Sequence, residues 1–147
     1  MKHLLPALLL AVISSFNVEL TFAEGMVLNA NTASTVELAS IPNLDEDLVG
    51  AIVKNRPFAT IKELDELLGA DLDNDELQSL YAHLFVPINL NTADKSDILL
   101  IPGVAEKMAH EFEEYRPYSN IEQFRREMAK YVDKAEVARL EQYVTLD

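Results

Sequence analysis

The hexapeptide Leu28-Asn29-Ala30-Asn31-Thr32-Ala33 returns as Ile88-Asn89-Leu90-Asn91-Thr92-Ala93, and the same offset holds without a gap to the C-terminus. Ile41-Pro42 meets Ile101-Pro102, Arg56-Pro57-Phe58 meets Arg116-Pro117-Tyr118, and Asp73, Glu76 and Leu80 meet Asp133, Glu136 and Leu140. Matches at caps, turns and apolar positions together mean two copies of one supersecondary unit. Whatever the first copy folds into, the second must fold into as well.

Each copy reads as four short amphipathic helices. Ser34 with Glu37 three positions later forms a capping box ahead of Val36, Leu38 and Ile41. Asp45 caps a second helix carrying Leu48, Ile52 and Val53, which stops before Arg56-Pro57. Thr60 with Glu63 opens a third, with Ile61, Leu64, Leu67 and Leu68. Asp73 with Glu76 opens the fourth, with Leu77, Leu80, Leu84 and Phe85. In the second copy the helices are expected to start from Asp94, Ala105, Asn120 and Asp133. Apolar spacing of i, i+3, i+4 is helical, and no strand-length alternation is evident, so the expected fold is all-α. Val86-Pro87 reads as the linker, giving domains at 24–86 and 87–147. Leu44 and Leu72 stand at the same separation as Val104 and Val132, each between two helices. Each domain is therefore expected to hold two helix-hairpin-helix units.

Residues 1–23 read as a secretory signal peptide. Lys2-His3 precede an apolar run from Leu4 to Phe16, and Thr21-Phe22-Ala23 places small residues at −3 and −1, so cleavage is expected before Glu24. The run is short for a membrane span and is broken by Asn17 and Glu19. The mature protein is thus expected to be periplasmic or extracellular and not membrane-bound. The chain has no cysteine, so disulfides and thiolate metal sites are excluded. A hydrophobic content of 49% argues against disorder. Loss of Lys2 and Glu19 on processing leaves the net charge at −13. A field of that sign opposes duplex DNA and anionic lipid, although salt screens it beyond about 10 Å.

Asn31-Thr32-Ala33-Ser34, Glu37-Leu38, Ile41-Pro42, Arg56, Phe58 and Glu63-Leu64 resemble the helix-hairpin-helix domain of the ComEA-type competence DNA-receptor family. Asn91-Thr92-Ala93, Ile101-Pro102-Gly103, Arg116, Tyr118 and the helix after Asn120 resemble it a second time. The resemblance implies binding of incoming DNA outside the cytoplasmic membrane. The same fold also resembles an extrinsic subunit of cyanobacterial photosystem II, where it binds protein. Fold alone does not choose between these roles.

The hairpins discriminate better. In DNA-binding members of the family the hairpin reads Pro-Gly-apolar-Gly followed by a basic residue, so that backbone N–H groups can approach a phosphate. Here the four hairpins read Asn43-Leu44-Asp45, Asp71-Leu72-Asp73, Gly103-Val104-Ala105 and Tyr131-Val132-Asp133. Asp45, Asp73 and Asp133 are expected to cap the following helix and occupy the N–H groups a phosphate would need. Only Gly103, Val104 and Ala105, with Lys107 beyond them, leave a candidate DNA seat. Arg125, Arg126, Lys130, Lys134 and Arg139 form a basic cluster interleaved with Glu122, Glu127 and Glu136, which reads as an ion-paired face. Asp71, Asp73 and Asp75 begin like a calcium loop, but Glu76 stands where such a loop needs Gly, and Ala82 where it needs Glu. His83 and His110 have no partner at ligand spacing. No nucleophile–base set appears, so no enzyme activity, small-molecule substrate, cofactor or metal is expected.

The expected function is an exported, non-enzymatic tandem binding module. A protein partner in the cell envelope is favoured, with apolar hairpin tips and Phe58 and Tyr118 as contact points. Duplex DNA bound weakly through the second copy is the alternative. Residues 28–86 carry −8 and residues 88–147 carry −4, which places the weaker repulsion on the second copy.

Overall fold

The computed structural model describes residues 25–147. The signal peptide and its cleavage point lie outside the described residues. The first half runs β1 (Leu28–Asn29), α1 (Thr35–Ala39), α2 (Glu46–Asn55), α3 (Ile61–Leu68), α4 (Asn74–Tyr81) and β2 (Leu84–Phe85). The second runs β3 (Ile88–Asn89), α5 (Lys95–Ile98), α6 (Glu106–Glu114), α7 (Ile121–Met128), α8 (Lys134–Glu141) and β4 (Val144–Thr145). Every element of the second half begins at one constant offset from its counterpart in the first, the offset of the sequence repeat.

The structure is mostly helical, but not purely so. β1 pairs in parallel with β2, and β3 with β4, so the two ends of each half are tied together. Leu28 N donates to His83 O at 2.8 Å, and Ala30 N to Phe85 O at 2.8 Å. A two-residue strand is too short to show alternation, and its partner lies at the opposite end of the half. The sequence therefore carried no local sign of it.

The core repeats with the chain. Leu38 and Ile98, Ile52 and Phe112, Leu64 and Phe124, and Leu68 and Met128 are equivalent pairs, all fully buried. The second half carries the bulkier set, and its rings interlock edge to face, Phe112 against Phe124 at 5.2 Å and Tyr118 against Phe124 at 5.9 Å. Val36 and Val53, part of the apolar pattern in sequence, face outward. So do one or two residues on most amphipathic surfaces.

The two halves share one hydrophobic core. Val86, expected in an open linker, is buried with Ile88 on the far side of Pro87. Phe85 packs edge-on against Tyr81 at 5.7 Å and against Tyr143 at 4.9 Å, and the Tyr143 hydroxyl donates to Tyr81 O at 3.0 Å. The counterparts of Phe85 and Tyr143 are Thr145 and His83. Large aromatics thus occupy the copy of each position that faces the junction. No helix among the described residues is long and apolar enough to cross a membrane.

Candidate functional site

The residues most faithfully repeated turn out to be structural. Arg56 forks onto the turn after β1, donating through Nε to Ala30 O at 2.6 Å and through Nη2 to Ala33 O at 2.7 Å. Arg116 does the same to Leu90 O at 2.5 Å and Ala93 O at 2.8 Å. The side chain of Asn31 exchanges two hydrogen bonds with the backbone of Phe58, and Asn91 with that of Tyr118. Phe58 and Tyr118 are 5% and 3% exposed, so they are core residues and not the contact points expected for a partner. An aromatic after a proline looks exposed in sequence; here the Asn clamp pulls its backbone inward.

The hairpins fall into two types. Leu44 N bonds to Ile41 O at 3.3 Å and Val104 N to Ile101 O at 3.0 Å, closing turns whose third residue is left-handed. That residue is Asn43 at φ 64° in one half and Gly103 at φ 79° in the other. Both residue types tolerate that region, glycine without strain. The other two hairpins close Leu72 N onto Leu68 O and Val132 N onto Met128 O, with no left-handed residue.

Helix starts then decide which N–H groups are free. Asp45 Oδ1 accepts from Leu48 N at 2.9 Å, and Asp133 Oδ1 from Glu136 N at 2.9 Å. Asp73 accepts from Asp75 N and Glu76 N, while Glu76 returns a bond to Asp73 N, completing a capping box. Ser34 and Glu37 complete another. Thr60 does not cap: Glu63 instead accepts from Ala59 N at 2.7 Å, one position outside the expected box. Asp94 also makes no cap bond, whereas Asn120 accepts from Gln123 N at 2.9 Å. Ala105 sits at the N-cap of α6 with no side chain to offer, so the first N–H groups of that helix have no cap from within.

Each pair of hairpins encloses an open groove, lined at equivalent positions by different chemistry. In the first half Asn43, Asp45, Asp47, Leu48, Asp71 and Glu76 line a groove of about 540 Å³. In the second Gly103, Ala105, Lys107, Met108, Glu111 and Tyr131 line one of about 230 Å³. Asp45 becomes Ala105, Asp47 becomes Lys107 and Asp71 becomes Tyr131. Four carboxylates thus surround the first groove, against one carboxylate and one ammonium in the second. The third hairpin also touches Arg139, whose Nη2 donates to Pro102 O at 2.8 Å and lies 3.4 Å from where a Cβ on Gly103 would stand. A contact between segments so far apart along the chain left no trace in the sequence pattern.

The basic cluster is largely spent on its own neighbours. Arg125 holds Glu141 through two bonds at 2.7 and 2.5 Å and reaches Glu122 at 3.3 Å. Arg139 holds Glu136 through two bonds of 2.8 and 2.7 Å. Arg126 and Lys130 both pair with Glu127, whose carboxyl is held below the usual range, chiefly by the Lys130 hydrogen bond. Lys130 also lies over the Tyr115 ring, 4.7 Å from its centre. Among the described residues Lys107 and Lys134 make no ion pair. His83 is exposed, and His110 faces Glu114 at 3.4 Å on the surface.

Among the described residues no three His, Cys, Asp or Glu side chains come together as a metal site. No family model, curated protein or solved structure matches this chain.

Proposed function

We propose that the chain is an exported, non-enzymatic binding module of two tandem helix-hairpin-helix domains, 24–86 and 87–147, whose ligand is a protein in the cell envelope. The observation that carries this reading is the filling of helix N-termini at three hairpins by Asp45, Asp73 and Asp133. A phosphate needs those N–H groups free and finds a carboxylate on them. Most cations of the second half are already paired, so little charge remains to neutralise a DNA backbone. Export rests on the Lys2-to-Ala23 pattern, and mass spectrometry of the processed protein should find Glu24 first.

The second reading is duplex DNA held at Gly103–Lys107. It is favoured by the uncapped start of α6 beside an unpaired Lys107. A fluorescence-anisotropy titration across salt concentrations separates the two. Affinity for DNA falls with salt in proportion to the phosphates neutralised. One seat offers one or two contacts, so weak binding with a log–log slope of about −1 to −2 is expected, lost in Lys107→Glu. Submicromolar binding with a steep slope at moderate salt would replace the protein reading with the DNA one.

A further inference from the structure

Glu111 is the one buried side chain in the second groove that the fold does not account for. It is 8% exposed, and among the described residues its Oε2 is the single buried side-chain polar atom without a hydrogen-bond partner. A carboxylate oxygen withdrawn from water without a partner is costly, and native proteins rarely keep one without a reason. Folding does not supply the reason: the equivalent residue in the first half is Ala51, half-buried in the same place on α2. Nor does Lys107, one turn earlier on α6, which is exposed and unpaired.

What surrounds Glu111 suits a particular guest. Tyr131, at the tip of the fourth hairpin, is 41% exposed, with its hydroxyl tied to that of Tyr115 at 2.7 Å and its ring tilted against the Tyr115 ring at 6.4 Å. Hydrogen bonding to Tyr115 first, and the nearness of the Glu111 carboxylate after it, push the Tyr131 phenol well above its ordinary pKa, so the ring stays neutral. Met108 and Ala105 give the groove an apolar wall, and its volume of about 230 Å³ admits one long side chain. A guanidinium can pair with a carboxylate and stack on an aromatic face at once, while its methylene stem lies on apolar surface.

We infer that the groove between the hairpins of the second half receives an arginine side chain of a basic segment in the protein partner, with Glu111 as its counter-charge and Tyr131 as its stacking face. This rests on the protein reading above. The net charge of −13 draws such a segment in, and the four carboxylates of the first groove lie ready for its neighbouring cations. Lys107 stands at the groove as a competitor to the incoming guanidinium. Its removal should therefore strengthen arginine binding and weaken any DNA binding, two effects of opposite sign.

The test titrates the 15N-labelled processed protein with acetyl-Gly-Arg-Gly-amide in 0.15 M salt, with the citrulline peptide as neutral isostere. Saturable shifts at Gly103, Ala105, Glu111 and Tyr131 are expected with arginine and none with citrulline. Glu111→Ala, which copies Ala51, should weaken binding at least tenfold with the amide spectrum otherwise intact, and Lys107→Ala should tighten it several-fold. Equal response to citrulline, unchanged affinity in Glu111→Ala, or shifts centred on Asp45 and Asp71 would overturn the inference. Weak DNA binding with no arginine response in this groove removes the inference alone. Tight DNA binding removes the protein reading beneath it.

Discussion

Ala105 offers a direct test of the idea that the hairpin carboxylates are caps that exclude anions. Its backbone, at φ −102° and ψ 173°, matches the extended N-cap conformation of Asp45, Asp73 and Asp133. In Ala105→Asp the carboxylate should therefore accept from Met108 N as Asp45 accepts from Leu48 N. Such a cap contributes about 0.5–2 kcal/mol. Glu106 next door and Glu111 in the groove offset part of this, so a net gain of about 1 kcal/mol is expected. For a chain of this length that is roughly 3–5 °C in Tm. Urea unfolding should show a higher midpoint at an unchanged m-value. Ala105→Ser adds the cap without the charge and should gain about as much, isolating the hydrogen bond from electrostatics. The reverse changes should cost stability, Asp73→Ala most because its side chain accepts two bonds, Asp45→Ala and Asp133→Ala less. Residual DNA binding should vanish in Ala105→Asp. Neutral outcomes across the whole series, or DNA binding that persists with Asp at 105, would refute the argument.

The Arg clamps and the buried Asp97 give two further tests. Arg116→Lys keeps the charge but loses the fork that spans Leu90 O and Ala93 O, and should cost about 1.5–3 kcal/mol in urea unfolding; Arg56→Lys should cost the same. Asp97, 6% exposed, has its carboxyl raised first by burial and then by Asp94, with Lys62 opposing. A raised folded-state value means that the stability linked to this group is present below about pH 3.9 and lost as pH rises through the folded value. Asp97→Asn should accordingly raise Tm at pH 7, with the gain shrinking toward pH 3 in a melting series. A constant gain across that range would put the effect in packing instead.

The sequence by itself determined the duplication, the helical order and the positions of most helix starts, because these depend on residues within a few positions of one another. An Asp three positions before a free N–H is a local fact, and so is the periodicity that places Leu38, Ile52, Leu64 and Leu68 in a core. Tertiary structure decided whatever joins residues far apart. The parallel pairs 28–84 and 88–144, the fork of Arg56 onto Ala30 and Ala33, and the burial of Phe58 and Tyr118 behind it link segments distant along the chain. The junction of Phe85 with Tyr143 reaches from one copy into the other. The site follows the same division. The Asp caps at the hairpins were legible, since a cap is a local device. That Glu111 is buried without a partner was not, because it depends on how α6 meets the fourth hairpin. One side chain on a polar stretch of helix becomes a buried polar group only when another element closes over it, and sequence spacing does not register that closure.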